Sequence, residues 1–390
     1  MVKVVAKTGN EAMAEAMRQI NPDVGAAYPI TPATEIVMIF AKYVADGLVD
    51  TEYVAVESEH SAMSACVGAS AAGGRVMTGT SSQGLALMYE ILPIVSSLRL
   101  PIVMCDVNRA ISGPINIHCD HSDTMAAQDF GWVQIFSENS QEAYDSLIQA
   151  IRIAEDPRLQ LPTMVTTDGF IISHCMDKIE LLDDADVQKF IGGERKAATR
   201  LLDIDKPVTL GLIDLQDYYF EHRVQVAEAM RGAKKIILEV ADEFAEKFGR
   251  KYGLIEGYQL DDAEHVIVAL GSTCGTTKVV VDELRAKGIK AGLLKIRVFR
   301  PFPAEEIAAA LSKAKTVAVL DRSDTWSAQG GHVFTEVRSG MFDQKAKPKM
   351  INYIYGLGGR EINLELIRQV YTDLQNIEKQ PLVQYLGVRE

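Results

Sequence analysis

The sequence predicts an α/β protein of two parallel-sheet domains, and three observations carry that prediction. Short apolar runs alternate with helical stretches of small residues through the first half, the pattern of βα units around a buried parallel sheet. The same alternation restarts near His265, and a polar, irregular stretch from about Leu182 to Asp205, with a Gly192-Gly193 pair, interrupts the two.

In chain order, strands are expected at Val24–Tyr28, Tyr53–Val56, Arg75–Thr80, Pro101–Val107, Trp132–Phe136 and Thr163–Thr166. Helices are expected between them at Gly9–Gln19, Thr34–Asp46, Ser58–Ala72, Gly84–Leu98 and Ser140–Glu155. Asn139 and Ser140 followed by Glu142 form an N-terminal capping signal for the last of these. Beyond the irregular stretch come a helix from about Tyr218 to Met230, a strand-like Lys235–Val240 and a helix at Glu243–Tyr252. The second unit reads as strands His265–Leu270, Ala291–Ile296 and Thr316–Leu320 with helices Thr276–Lys287 and Pro303–Lys313. The boundary is set near Gly232, giving a first domain over 1–232, with its linker excursion from about 182, and a second over 233–390. The stretch from Gly356 onward reads as an extended or helical C-terminal arm.

With 390 residues, 47% apolar and 24% charged, the chain can bury a sizeable core. No leader-like apolar segment opens it, and no run approaches the roughly 18 apolar residues of a membrane span, so a cytoplasmic protein without membrane contact is expected. A formal net charge of −13 and the lack of a basic patch argue against nucleic acid as a partner. Cys66, Cys105, Cys119, Cys175 and Cys274 are too widely spaced to hold zinc or an iron-sulfur cluster. Any cluster must sit on another chain.

Four polar segments carry chemistry. In Tyr28-Pro29-Ile30-Thr31-Pro32-Ala33-Thr34, Pro32 suits the first turn of a helix, and the Thr31 hydroxyl either caps that helix or faces the crevice at the strand's carboxyl end. Glu59, in Glu57-Ser58-Glu59-His60-Ser61-Ala62, lies in a first helical turn with Ser58 as N-cap, so the helix dipole alone would account for it. Thr78-Gly79-Thr80-Ser81-Ser82-Gln83-Gly84 is a loop whose amides and hydroxyls suit an anion or a heterocycle, without the lysine of a P-loop. Arg109 opens the run from Asn108 to Asp123 at a strand's carboxyl end, where its guanidinium either clamps a carboxylate or is an ordinary loop cation. His118, Asp120, His121 and Asp123 read as an Asp-His hydrogen-bond network in preference to a metal site.

Taken together and in this order, YPITP, SEHSA, TGTSSQG, NRAISGPINI, DHSD and TTDGF resemble the alpha subunit of the pyruvate:ferredoxin oxidoreductase (pyruvate synthase) family, the 2-oxoacid:ferredoxin oxidoreductases. The match covers essentially the whole first domain, which the resemblance makes a thiamine-enzyme pyrimidine-binding-type domain. The second, with VIVALGS from Val266 and RVFRPFP from Arg297, is similar to a transketolase C-terminal domain.

The resemblance implies reversible oxidative decarboxylation of pyruvate to acetyl-coenzyme A and carbon dioxide on thiamine diphosphate, with electrons passing to ferredoxin. It implies that Glu59 is the carboxyl that hydrogen-bonds the cofactor's aminopyrimidine, and that Thr31 and Arg109 hold the 2-oxoacid. Thiamine enzymes bind diphosphate and magnesium through a Gly-Asp-Gly segment and a downstream Asn-Asn pair. Thr167-Asp168-Gly169-Phe170 lacks the first glycine, and the asparagine pair is missing. Mg2+, the 4Fe-4S clusters and the ferredoxin-like module are therefore expected on beta, gamma and delta subunits, in a dimer of heteromers active only as a complex. The same scaffold serves 2-oxoisovalerate, oxalate and 2-oxoglutarate. A transketolase-type enzyme without redox partners, or a noncatalytic scaffold subunit, are the readings from other classes.

Overall fold

The computed structural model describes residues 3–195, 197, 200–345 and 347–389. Its strands, in chain order, are β1 (Lys3–Thr8), β2 (Val24–Ala27), β3 (Glu52–Ala55), β4 (Val76–Thr80), β5 (Val103–Asn108), β6 (Val133–Phe136), β7 (Thr163–Asp168), β8 (Met176–Leu181), β9 (Ile255–Tyr258), β10 (His265–Ala269), β11 (Ala291–Ile296), β12 (Val298–Arg300), β13 (Thr316–Asp321), β14 (Lys349–Tyr355) and β15 (Val383–Leu386).

The first sheet has seven strands in the order β12-β6-β7-β5-β4-β2-β3. All pairs from β6 to β3 are parallel, so the carboxyl ends of β2, β3, β4, β5 and β7 share one edge. Alternation along β5 sorts the core. Val103, Cys105 and Val107 face the helices Gly9–Ile20, Thr34–Ala45 and Ser140–Glu155. Ile102 and Met104 face Glu59–Ala72, Ser82–Met88 and Leu92–Ser97. The second sheet, β15-β14-β13-β10-β11-β9, is parallel except for β9. β12 leaves the second half of the chain to pair antiparallel with β6, Val298 opposite Ile135, which stitches the halves together. β1 and β8 form a separate antiparallel pair.

The strand expected at Lys235–Val240 is helix. Tyr219–Phe248 is a single helix of 30 residues, and the apolar run Ile236-Ile237-Leu238 was misleading. Ile236, Ile237, Val240 and Phe244 are buried at helical spacing while Leu238 is 38% exposed. Gly232, where the boundary was set, lies inside this helix, whose buried face joins the first sheet's core. The helix expected over Gly84–Leu98 divides into Ser82–Met88 and Leu92–Ser97, with Pro93 at the start of the second, where its missing N–H is harmless. The C-terminal arm is part of the second core. Helix Leu364–Gln375 buries Ile367, Val370, Tyr371 and Leu374, and β15 extends the sheet.

Of the excursion expected from about 182, Lys196, Ala198 and Thr199 lie outside the described residues. Its first part is a helix, Asp184–Ile191, capped by the Asp183 carboxylate. The stretch after residue 200 exposes apolar as well as polar side chains, Ile204 and Ile213 being 91% and 88% exposed and Asp205 and Lys206 exposed with them. Among the described residues, no helix is long and apolar enough to cross a membrane.

Candidate active site at the carboxyl edge of the first sheet

Glu59 is the first residue of the helix that follows β3. The Ser58 hydroxyl accepts from the Ser61 amide at 3.2 Å and starts that helix. The Glu59 side chain is 6% exposed, and burial raises its carboxyl above the usual range, opposed only by its own backbone amide. The loop after β4 explains how it is held. A Cβ on Gly84 would lie 2.7 Å from Glu59 Oε1 and 2.5 Å from Thr80 Oγ1, so only glycine lets that helix come so close. The Thr80 hydroxyl is buried beside it without a partner among the described residues.

Arg109 leaves the end of β5 and is 7% exposed. Its Nη1 donates to the Thr31 carbonyl and its Nε to the Asn116 carbonyl, both at 2.9 Å. Burial lowers its pKa, with nearby Asp123 opposing. Held by carbonyls rather than by a carboxylate, this cation keeps its charge for another anion.

Thr31 is exposed and meets Arg109 through its backbone. It does not cap the following helix. Ala33 occupies the N-cap position with no side-chain bond, and Pro32 precedes the helix rather than entering its first turn. The structure thus joins Thr31 to Arg109 by a hydrogen bond and sets Glu59 on the same strand edge.

The Asn108–Asp123 run is pinned at both ends. At its start, Asp123 accepts from the amides of Arg109 and Ser82. Near its end, His121 Nε2 lies 2.7 Å from Asp168 Oδ1, and Arg322 Nη1 lies 2.7 Å from Asp168 Oδ2. Ser272 adds its amide at 3.0 Å. Burial works to raise the Asp168 pKa, but His121 and Arg322 overcome it and hold the carboxylate below its usual range. Cys119, His121 and Asp168 converge within 4.8 Å. Asp168 already hydrogen-bonds His121, Arg322 and Ser272, so hydrogen bonding accounts for the cluster. His118 instead stacks on Phe170 with ring centroids 5.1 Å apart, and Asp120 accepts from the Ser122 and Gly358 amides.

These residues fit one half of a thiamine cofactor. The buried Glu59 carboxyl, its pKa raised by burial, and the Thr80 hydroxyl, unpaired among the described residues, suit an aminopyrimidine. The diphosphate end finds no such fit. The nearest residue to a magnesium ligand in the Thr167–Phe170 segment, Asp168, is saturated by His121, Arg322 and Ser272. Sequence reasoning missed Asp123, Asp168 and Arg322 as a set. The signal present was a row of charged residues at strand ends, Asp168 closing β7 and Arg322 just after β13.

Comparison with known proteins adds independent findings. Residues 15–242 match the family described as pyruvate flavodoxin/ferredoxin oxidoreductase, thiamine diphosphate-binding. Residues 263–367 match pyruvate:ferredoxin oxidoreductase core domain II. The chain is 55% identical to pyruvate synthase subunit PorA of Thermotoga maritima, over 100% of this chain and 99% of that one. It is 47% identical to PorA of Methanocaldococcus jannaschii, again over 100% and 99%. Ketoisovalerate oxidoreductase subunit VorA of Pyrococcus abyssi is 42% identical over 96% and 94%. Among solved structures, a 2-oxoglutarate:ferredoxin oxidoreductase from Magnetococcus marinus superposes with a TM-score of 0.71 at 21% identity, covering 95% of this chain and 65% of that one, a likeness of fold.

Proposed function

We propose a role for each residue of this site on one premise: the chain belongs to the pyruvate:ferredoxin oxidoreductase family, as the alpha subunit of a 2-oxoacid:ferredoxin oxidoreductase. Its reaction is the reversible oxidative decarboxylation of pyruvate to acetyl-coenzyme A, with electrons leaving to ferredoxin. The observation that carries the substrate reading is Arg109, a buried cation whose guanidinium, among the described residues, is bound only to carbonyls, beside Thr31 and on the same strand edge as Glu59.

Arg109 takes the 2-oxoacid carboxylate, and the exposed Thr31 hydroxyl donates to the 2-oxo oxygen. Glu59 hydrogen-bonds the cofactor's pyrimidine nitrogen. Its raised pKa suits a group that shares a proton with a weakly basic ring nitrogen. Gly84 and Thr80 form the wall that fixes Glu59. Thiamine diphosphate supplies the electron sink for loss of carbon dioxide.

The diphosphate, Mg2+ and 4Fe-4S clusters belong to beta, gamma and delta subunits, in a cytoplasmic dimer of heteromers with coenzyme A as co-substrate. Support for this division is the saturated Asp168 and the absence of any Gly-Asp-Gly or paired-asparagine segment. The units of the chain are the pyrimidine-side domain up to the long helix and the second sheet with its arm.

A second reading, 2-oxoisovalerate as substrate, is favoured by the 42% identity to VorA. PorA of Thermotoga maritima stands higher at 55%. The test is turnover by the purified complex with coenzyme A and ferredoxin on pyruvate, 2-oxoisovalerate, 2-oxoglutarate and oxalate. Pyruvate is expected to give the highest kcat/KM, and Glu59→Gln to cut kcat at least about 100-fold at saturating pyruvate. Turnover of another 2-oxoacid in preference to pyruvate overturns the substrate, and an active Glu59→Gln complex overturns the role of Glu59.

A further inference from the structure

We propose that Asp123 is a positioning residue for the 2-oxoacid, a buried carboxylate that fixes the substrate arm at Arg109 to the cofactor wall at Ser82–Gly84. The proposal rests on the assignment of Arg109 to the substrate carboxylate.

Asp123 is completely buried and touches no solvent. Its two oxygens take four donors. Oδ2 accepts from the Arg109 amide at 2.9 Å and the Ser82 amide at 3.0 Å. Oδ1 accepts from Asn108 Nδ2 at 3.0 Å and from the Thr124 amide at 2.8 Å. The first pair matters most, because those amides belong to loops that follow different strands, β5 and β4. One oxygen atom therefore sets the distance between them.

What hangs from each loop gives the link its use. On one side, the Arg109 head is completed by the Thr31 and Asn116 carbonyls; Asp123 anchors its root. On the other, Ser82 is a non-glycine residue at φ 48°, a left-handed conformation that is strained and persists only when neighbours enforce it. Asp123 holds its amide, and the Ser82 hydroxyl donates to the Ala110 carbonyl at 2.6 Å. Two residues on is Gly84, against which Glu59 rests. Arg109, Asp123, Ser82, Gly84 and Glu59 thus form a continuous chain of contacts from substrate cation to cofactor carboxyl.

Only an ionised or shared-proton carboxyl satisfies four converging donors. An amide replaces one acceptor oxygen by an NH2 group and turns two of the hydrogen bonds into donor-donor contacts. Glutamate is one methylene too long for a fully packed site.

The experiment is a double-mutant cycle in the assembled complex, reading KM and kcat for pyruvate. Asp123→Asn alone is expected to raise KM about tenfold, with a smaller change in kcat. In an Arg109→Ala background the same substitution is expected to change KM by less than about twofold, because residues acting through one another are not additive. Equal factors in both backgrounds overturn the proposal and leave Asp123 a purely structural residue. Arg109→Ala is its own control: if it leaves KM for pyruvate unchanged, the assignment of Arg109 fails, whatever Asp123 does.

Should Asp123→Asn fail to assemble, Ser82→Gly decides. Glycine adopts the left-handed conformation freely and relaxes the same link from its other end without stranding a buried donor. A rise in KM of about threefold that vanishes in the Arg109→Ala background supports the proposal, and an unchanged KM overturns it.

Discussion

Two buried arginines flank the Asn108–Asp123 run, and they use their charge differently. Arg322 is spent. It binds Asp168 at 2.7 Å, Asp168 also holds His121 and Ser272, and the group ties the end of the first sheet to the second. Burial opposes the Arg322 charge, yet its acidic neighbours, Cys119 and Asp168 foremost, raise its pKa. Arg109 is unspent. Its guanidinium meets two carbonyls, and burial lowers its pKa. A compensated buried charge is structure, whereas an uncompensated one is a place prepared for an anion.

The largest effect expected from this contrast is on stability. Asp168→Asn leaves Arg322 as a buried charge without its counterion, which costs on the order of 3 kcal/mol or more. Thermal unfolding of the complex should show a fall of several degrees, with activity lost in parallel. The next effect separates the two arginines. Arg109→Met removes a cation whose head, among the described residues, pairs with no carboxylate, so the melting temperature should hold or rise while KM for pyruvate climbs about 100-fold, the usual opposition of stability and function at a prepared site. A large drop in melting temperature for Arg109→Met would show that its charge is spent on the fold after all.

The sequence carried the sheet well and the site in part, for physical reasons that differ. Strands such as Val76–Thr80 and Thr163–Asp168 are buried on both faces, so each reads as a short apolar or β-branched run closed by polar residues. The helix Tyr219–Phe248 did not read as one because three apolar residues in a row, Ile236 to Leu238, fit either period, and only packing decides. β12 was invisible because a three-residue strand depends on its partner β6, far away in sequence. Thr31, Glu59 and Arg109 stood out because each follows a strand. Asp168 did not, because its partners come from the run near residue 121, from 272 and from 322, a convergence that no local pattern encodes. Gly84 looked like part of an anion-binding loop, while its steric role against Glu59 needs coordinates.

The smallest effect, a difference of slope, sharpens the comparison most because the two ends should respond to pH with opposite sign. At the Arg322 end, Asp168 is held below its usual range. The stability it adds is therefore fully present above the unfolded carboxyl value, about 4, and is lost as pH falls through the folded value. At the Arg109 end, Asp106 is completely buried, shares the Asn108 amide with Asp123, and is raised well above its usual range by burial and then by Asp123. Between about 4 and its folded value the native state binds a proton that the unfolded chain has released, so its stability contribution declines with rising pH, at up to about 1.4 kcal/mol per unit. Melting temperatures of wild type, Asp168→Asn and Asp106→Asn measured across this range check both signs. The wild-type advantage over Asp168→Asn should stay level above pH 5 and shrink in stronger acid, and the wild type should lose ground to Asp106→Asn as pH rises. Parallel curves for the two variants would mean that both carboxyls are compensated alike, and the distinction between the two ends of the run would fall with them.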